Sequence, residues 1–153
     1  MAMYTMGRSV HINAPVADSF NYLKNPANMW TAFPKVKISD VHLTPDGVGS
    51  SDHFSMRSLG VIFERGTHEV VEVVPNEKLV LRSHPFGVRN GPLWTWRFSP
   101  EDGGTRVNLV VADDVPKVMI PLENLSEKMT DRSYTTWLNS IKANVEALAG
   151  ATR

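Results

Sequence analysis

Residues 121–150 read PLENLSEKMTDRSYTTWLNSIKANVEALAG, and this stretch decides the fold. Its apolar residues recur at steps of three and four, the spacing of an amphipathic helix. They are Leu122, Leu125, Met129, Trp137, Leu138, Ile141, Val145 and Leu148. The pattern predicts one long helix that ends at Gly150. The apolar stripe is interrupted at residues 130–133, where small or polar side chains stand on the face that must meet a partner.

Upstream of this helix, residues 37–115 have the pattern of strands separated by turns. Turn signals such as Pro45-Asp46-Gly47 and Asn90-Gly91-Pro92 punctuate the region. No helical segment separates the strands, so an antiparallel meander is favoured over parallel crossover units. Together with an earlier strand at residues 8–13, the region predicts a sheet of six to seven strands.

Two short helices are predicted between the first strand and the rest of the sheet. Pro15 suits a first helical turn, and Val16, Phe20 and Leu23 then form a short apolar stripe. A second helical turn is predicted at residues 27–31.

The need to bury apolar faces predicts the architecture. Each strand has one apolar face that needs a cover, and only the C-terminal helix is long enough to provide it. The sequence therefore predicts an α+β fold in which a curved antiparallel sheet wraps around a long C-terminal helix. If the sheet and the helix do not close completely, an apolar cavity remains between them. A single domain is expected at residues 1–149, with a loose tail at residues 150–153.

Composition excludes several classes of protein. The 153 residues carry 16 basic and 16 acidic side chains, so the net charge is zero and no nucleic-acid partner is expected. Cysteine is absent, which excludes disulfides and cysteine-ligated zinc, and the five histidines form no metal-binding motif, so neither a metal nor a cofactor is expected. No apolar run is long enough for stable membrane insertion, and no signal peptide is visible. The expectation is a cytoplasmic monomer or homodimer.

Four local motifs resemble one known superfamily. They are residues 12–15 (INAP) with 30–34 (WTAFP), residues 46–50 (DGVGS), residues 72–79 (EVVPNEKL), and residues 94–100 (WTWRFSP) followed by 104–107 (GTRV). Their order resembles the START-like helix-grip superfamily (SRPBCC), and most closely its polyketide cyclase/dehydrase/lipid-transport branch. The resemblance spans nearly the whole chain and implies a helix-grip fold with an apolar ligand pocket. It does not imply one activity, since one fold can host many functions.

Strand alternation predicts which side chains line that pocket. Trp94, Trp96 and Phe98 share one face of their strand, and the same rule directs Leu81, Leu109, Phe63 and Arg65 inward if no bulge intervenes. The predicted ligand-binding residues are Trp30, Phe33, Phe54, Met56, Phe63, Arg65, Leu81, Trp94, Trp96, Phe98, Leu109, Tyr134 and Trp137. Of these, Trp30 and Phe33, together with Pro34, follow a loop break and are expected to gate the mouth.

Arg65 is the most informative polar candidate. A buried guanidinium is costly unless it is paired. Glu69 on the same predicted face is one possible partner, and the oxygen of a bound carboxylate or enolate is the other.

Three functions remain open at this stage. The first is a carrier or sensor that binds a lipid, a fatty acid or a polyketide-like aromatic in the internal cavity. The second is a cyclase or dehydratase in the same pocket, with Arg65 or Tyr134 stabilising an enolate and His53 moving a proton. The third is a protein-interaction module that uses the sheet surface.

Overall fold

The computed structural model describes residues 1–58, 61–87 and 91–151, apart from the side chains of Ser58 and Phe63. In chain order the elements are β1 (Ala2–Ile12), α1 (Val16–Leu23), α2 (Pro26–Thr31), β2 (Val36–His42), β3 (Ser51–Ser58), β4 (Val61–Val74), β5 (Lys78–Pro85), β6 (Leu93–Glu101), β7 (Gly104–Val115), a 3-10 turn (Lys117–Met119) and α3 (Ile120–Ala151). This order confirms the predicted α+β class and the two short helices after the first strand.

Within the described ranges, the strands form one seven-stranded antiparallel sheet. Its order is β1-β7-β6-β5-β4-β3-β2, so β1 and β2 form the two edges. The first strand pairs with the last along its whole length, from Ala2 opposite Val115 to Ile12 opposite Thr105. The helix α3 packs against one face of this open sheet, which confirms the helix-grip architecture.

The core forms where the C-terminal half of α3 meets the sheet. On this half, the buried side chains are Trp137, Leu138, Ile141, Val145 and Ala149. Each large apolar side chain that is fully buried contributes about 1.5–3 kcal/mol. This half of the helix therefore holds the fold together.

The helix continues through Gly150 to Ala151, so its predicted end at Gly150 is wrong. Glycine disfavours helix through the conformational freedom that it loses, and this cost is small at a terminus that frays. Residues 152–153, the rest of the expected tail, lie outside the described residues.

Two bulges in β4 change which of its side chains face inward. The register against β5 shifts between Val70 and Glu72, and the register against β3 shifts beside Met56. An extra residue reverses the face of every side chain beyond it. As a result Glu64, His68 and Val70 turn towards the interior, and Arg65 is exposed. The predicted inward orientation of Arg65 is therefore wrong, because a strict two-residue period does not hold through β4.

Candidate functional site

An aromatic cluster fills the centre of the molecule. The Trp137 ring lies 5.0 Å from Trp30, 5.2 Å from Trp96 and 4.5 Å from Phe33, measured between ring centroids. Its Nε1–H donates to the carbonyl of Met29 at 2.6 Å, which fastens α3 to α2. Offset and edge-to-face rings of this kind pack densely. The predicted internal cavity is therefore mostly occupied by the protein's own side chains.

Beside this cluster remains a small space, which we call the inner chamber. Its volume is about 40 Å³. Its walls are Trp30, Phe33, Val36, Phe54, Met56, Glu64, His68, Ser83, Pro92 and Trp94. A space of this size holds about one water molecule or one small polar group.

A buried histidine–aspartate pair forms one wall of the inner chamber. His68 Nδ1 lies 2.8 Å from Asp52 Oδ1, and the two residues are 3% and 1% exposed. The imidazole is stacked between Trp30 at 4.3 Å and Phe54 at 4.2 Å. With an ionised carboxylate as partner, Nδ1 carries the hydrogen and Nε2 is left as an acceptor in the neutral ring. Among the described residues, Nε2 has no hydrogen-bond partner.

Two further polar side chains face the same chamber. Trp94 Nε1–H donates to Ser83 Oγ at 2.7 Å, so the Ser83 hydroxyl keeps its own hydrogen to donate. Burial, with a smaller contribution from the charge of Asp113, raises the pKa of the Glu64 carboxyl.

A larger opening lies outside the chamber, and we call it the outer groove. It has a volume of about 550 Å³ and runs between the N-terminal half of α3 and the segment that follows α2. Its walls are Phe33, Pro34, Lys35, Met56, Leu122, Glu123, Leu125, Ser126, Met129, Thr130, Ser133 and Tyr134. Phe33 and Met56 line both spaces and stand between them.

The apolar side chains of α3 in the outer groove are uncovered. Leu122, Leu125 and Met129 are 54%, 53% and 74% exposed. The buried side chains of the second half lie on another face of the helix: Leu138, Ile141 and Val145 follow Leu122, Leu125 and Met129 by 16 residues each, which is about 160° around the helix axis. The outer groove is therefore an apolar surface without an apolar cover in the described part of the chain.

Charged groups on β1 hold this half of the helix. Arg8 lies 3.1 Å from both Glu127 and Asp131, and the hydroxyl of Tyr4 donates to Glu127. Burial, together with the bond to Glu127, raises the pKa of Tyr4 to about 12. The hydrogen bonds from Tyr4 and Arg8 lower the pKa of Glu127. Arg8 also lies 5.7 Å from the centre of the Tyr134 ring, and burial raises the pKa of that phenol.

The rim of the outer groove carries one acidic side chain, Glu123, and one basic side chain, Lys35. Burial raises the pKa of Asp113 on β7 and of Glu123 on α3, and the charge of Asp113 raises that of Glu123 further.

The structure distributes the predicted ligand-binding residues over several places. Trp30, Phe54 and Trp94 line the inner chamber only. Phe33 and Met56 line both the chamber and the outer groove, and Tyr134 lines only the groove. Leu81, Trp96, Phe98, Leu109 and Trp137 are packed in the hydrophobic core. The side chain of Phe63 lies outside the described residues.

The three catalytic candidates do not come together. Arg65 and His53 line a separate open depression of about 580 Å³ on β3 and β4, away from Tyr134, and His53 Nδ1 lies 3.0 Å from Asp40 Oδ2. Tyr134 stands in the outer groove. Arg65 lies outside both the chamber and the groove because of the bulges in β4, so it cannot anchor a ligand there.

Sequence reasoning missed His68 and Asp52, which are opposite each other on neighbouring strands. The signal that could have found them is the alternation from Phe54 to Asp52, which places both residues on the inward face of β3. The groove residues Leu122, Leu125 and Met129 were visible as part of the helical stripe. Their offset of 16 residues from Leu138, Ile141 and Val145, about 160° around the helix axis, is the signal that separates them from core positions.

Another large hollow, separate from the outer groove, lies at the other end of the molecule. Its volume is about 660 Å³, and it lies between α1 and the turns after β2 and β4. Polar side chains such as Asn21, Asn28 and Asn76 line it. The buried Ser50 there accepts a hydrogen bond from the Thr44 amide, so its oxygen is already used within the fold.

None of the described helices is long and apolar enough to cross a membrane. In the ranges 1–58, 61–87 and 91–151, no three histidine, aspartate or glutamate side chains converge to hold a metal ion.

Solved structures share this fold at low sequence identity. TTHA0849 from Thermus thermophilus is 20% identical, with a TM-score of 0.73 over 95% of this chain and 99% of that one. The di-domain ARO/CYC StfQ from the steffimycin biosynthetic pathway is 16% identical, with a TM-score of 0.74 over 97% of this chain and 52% of that one. The Aha1 dimer from Colwellia psychrerythraea is 15% identical, with a TM-score of 0.62 over 94% of this chain and 96% of that one. At such identities the likeness shows the fold alone.

The family, by contrast, is determined by sequence. No curated protein matches the chain significantly. The profile of the family described as polyketide cyclase / dehydrase and lipid transport matches residues 3–146, which is nearly the whole chain. This protein therefore belongs to the polyketide cyclase/dehydrase and lipid-transport family.

Proposed function

We propose that this protein binds an apolar small molecule, such as a lipid, a fatty acid or a polyketide-like aromatic, in the outer groove, and acts as its carrier or sensor. The single observation that carries the proposal is the uncovered apolar wall formed by Leu122, Leu125 and Met129 around a space of about 550 Å³. Ligand sites for small molecules usually have volumes of roughly 300–1,000 Å³ and mostly apolar walls.

The position of the groove supports the proposal. Phe33 and Met56 separate it from the inner chamber, so a ligand in the groove reaches the edge of the core without displacing Trp137. Methionine and phenylalanine side chains there provide soft, apolar contact. Covering the exposed methylene groups of α3 contributes about 25 cal/mol per Å² of apolar area removed from water.

The experiment compares two leucines on the same helix. Leu125 lines the groove and is 53% exposed, whereas Leu148 is 57% exposed near the other end of α3. We expect Leu125→Glu to weaken the binding of dodecanol or octylbenzene at least tenfold, because a carboxylate in the groove has to lose water when an apolar chain arrives. Leu148→Glu serves as the matched control, with unchanged binding, and isothermal titration calorimetry measures both.

Two results would remove the proposal. One is native mass spectrometry that finds a bare polypeptide together with calorimetry that finds no binding of any apolar probe. The other is an equal loss of affinity in Leu125→Glu and Leu148→Glu, which would place the binding site elsewhere.

An enzymatic role in the same pocket has less support from the geometry. Of the three catalytic candidates only Tyr134 borders the groove, and burial raises the pKa of its hydroxyl, which disfavours a phenolate. A protein-interaction role would use the same uncovered stripe on α3. Two results together would favour that role: no binding of small apolar probes to the groove, and a changed oligomeric state in Leu125→Glu.

A further inference from the structure

The inner chamber contains polar groups that the core does not need. A space of about 40 Å³ surrounded by aromatic rings would be filled most simply by an apolar side chain. Instead, His68 and Ser83 border it, at 3% exposure each, and Asp52 stands behind His68. Buried polar side chains cost stability unless they are hydrogen-bonded.

The hydrogen bonds of this group are incomplete within the described part of the chain. Asp52 Oδ2 and Trp30 Nε1 are buried and have no partner there. His68 Nε2 accepts no hydrogen bond from any described residue, and Ser83 accepts one from Trp94 while keeping a hydrogen to donate. With the hydrogen of His68 on Nδ1, the chamber walls therefore offer His68 Nε2 as an acceptor and the Ser83 hydroxyl as a donor, and they also include the unpartnered Trp30 Nε1–H and the Glu64 carboxyl.

We propose that the inner chamber binds the neutral hydroxyl group of an alcohol or phenol whose apolar body lies in the outer groove. The hydroxyl donates to His68 Nε2 and accepts from the Ser83 hydroxyl. The ligand carbon that carries the hydroxyl lies between Phe33 and Met56, the two residues that line both spaces. This inference rests on the proposed function, because it assigns the polar end of the same ligand.

The size of the chamber limits what enters it. A volume of about 40 Å³ is near the space of one water molecule, which suits a hydroxyl but not a phosphate or a sugar. The stacking of His68 between Trp30 and Phe54 fixes the direction of Nε2 before a ligand arrives. A binding group that is already in place loses little entropy on binding.

The charge of the surroundings selects a neutral head group. Among the described residues, the ionisable groups at the chamber are the His68–Asp52 pair and Glu64, with Asp113 beyond it. None of the described residues of the chamber wall is a lysine or an arginine. A carboxylate placed there would lose its water and would face other carboxyl groups, so a fatty-acid anion is disfavoured relative to the corresponding alcohol.

Four probes that share the same octyl chain and benzene ring test the proposal: octylbenzene, 4-octylphenol, 4-octylanisole and 4-octylbenzoate, titrated at pH 7.5 by calorimetry. We expect 4-octylphenol to bind about tenfold more tightly than octylbenzene, which is what two modest hydrogen bonds contribute together. The anisole accepts but cannot donate, and the benzoate is anionic, so both should bind more weakly than the phenol.

Variants then locate the hydroxyl. Ser83→Ala and His68→Gln should each reduce the preference for phenol over octylbenzene several-fold, while the affinity for octylbenzene stays within about twofold. Ser55→Ala is the matched control, because Ser55 lies on the same sheet but lines the outer depression of β3 and β4. If His68→Gln fails to fold in a thermal melt, Ser83→Ala alone decides.

The outcomes separate the two proposals. Binding of all four probes with equal affinity, or tightest binding of the benzoate, would overturn the hydroxyl site and leave the groove intact. A phenol preference that survives in both variants would also overturn it. If none of the probes binds, the proposed function fails, and the hydroxyl site fails with it.

Discussion

The two halves of α3 have apolar residues at the same steps of three and four, but on different faces of the helix and in opposite surroundings. In the C-terminal half, Trp137 and Ile141 are fully buried against the sheet. In the N-terminal half, Leu125 and Met129 are more than half exposed, and the helix is held by ion pairs from Arg8. The comparison indicates that one half of the helix stabilises the fold and the other half forms the wall of a binding groove.

The largest expected effect on the free energy of unfolding comes from a substitution in the buried C-terminal half of α3. We expect Trp137→Ala to lower the free energy of unfolding by about 3–5 kcal/mol, because it removes a fully buried indole and leaves a cavity. Met129→Ala should change the free energy of unfolding by no more than about 0.5 kcal/mol, as for most exposed positions. Denaturant unfolding measures both, and similar losses in the two variants would contradict the division of α3.

A smaller effect is expected at the ion pairs that hold the exposed half. Arg8→Met should lower the free energy of unfolding by less than about 1 kcal/mol, since partly exposed salt bridges contribute little. Hydrogen exchange should nevertheless become faster at residues 120–133 and stay unchanged at residues 137–149. Lys128→Met is a suitable control on the same helix, because Lys128 is exposed. Faster exchange along the whole helix would show that its halves do not move separately.

The smallest expected effect is the pH dependence that Glu123, at the rim of the outer groove, gives to the stability of the fold. Burial raises the folded-state pKa of Glu123, so this group opposes folding above its folded pKa and stops opposing it below its unfolded value near 4.5. Glu123→Gln should therefore raise the melting temperature slightly at pH 7, and the gain should disappear as the pH falls to about 4. Thermal melts at several pH values measure this. A gain that is constant with pH would exclude the carboxyl charge as its cause.

The sequence was sufficient for the fold because the fold depends on long patterns. The helical stripe of α3 and the regular turns between strands predicted a sheet of six to seven strands with one covering helix, and alternation predicted the shared face of Trp94, Trp96 and Phe98. These patterns repeat over many residues, so a local irregularity does not erase them.

The site was harder to predict because single residues decide it. One extra residue near Val71 and another near Phe63 exchanged the faces of Arg65 and His68. Spacing along the chain contains no sign of such a bulge. Likewise, the steps of three and four in α3 mark Leu122 and Leu125 as apolar helix positions, but only their offset of 16 residues from Leu138 and Ile141, about 160° around the helix axis, shows that they lie on a different face.

The stacking of Trp30 on Trp137, with centroids 5.0 Å apart and planes 17° from parallel, has a spectroscopic consequence. Two indoles this close couple their electronic transitions, and Trp30 also forms part of the chamber wall. Near-ultraviolet circular dichroism of the wild-type chain therefore supplies a label-free optical gauge, in which small rotations of one ring change the exciton signal of the pair.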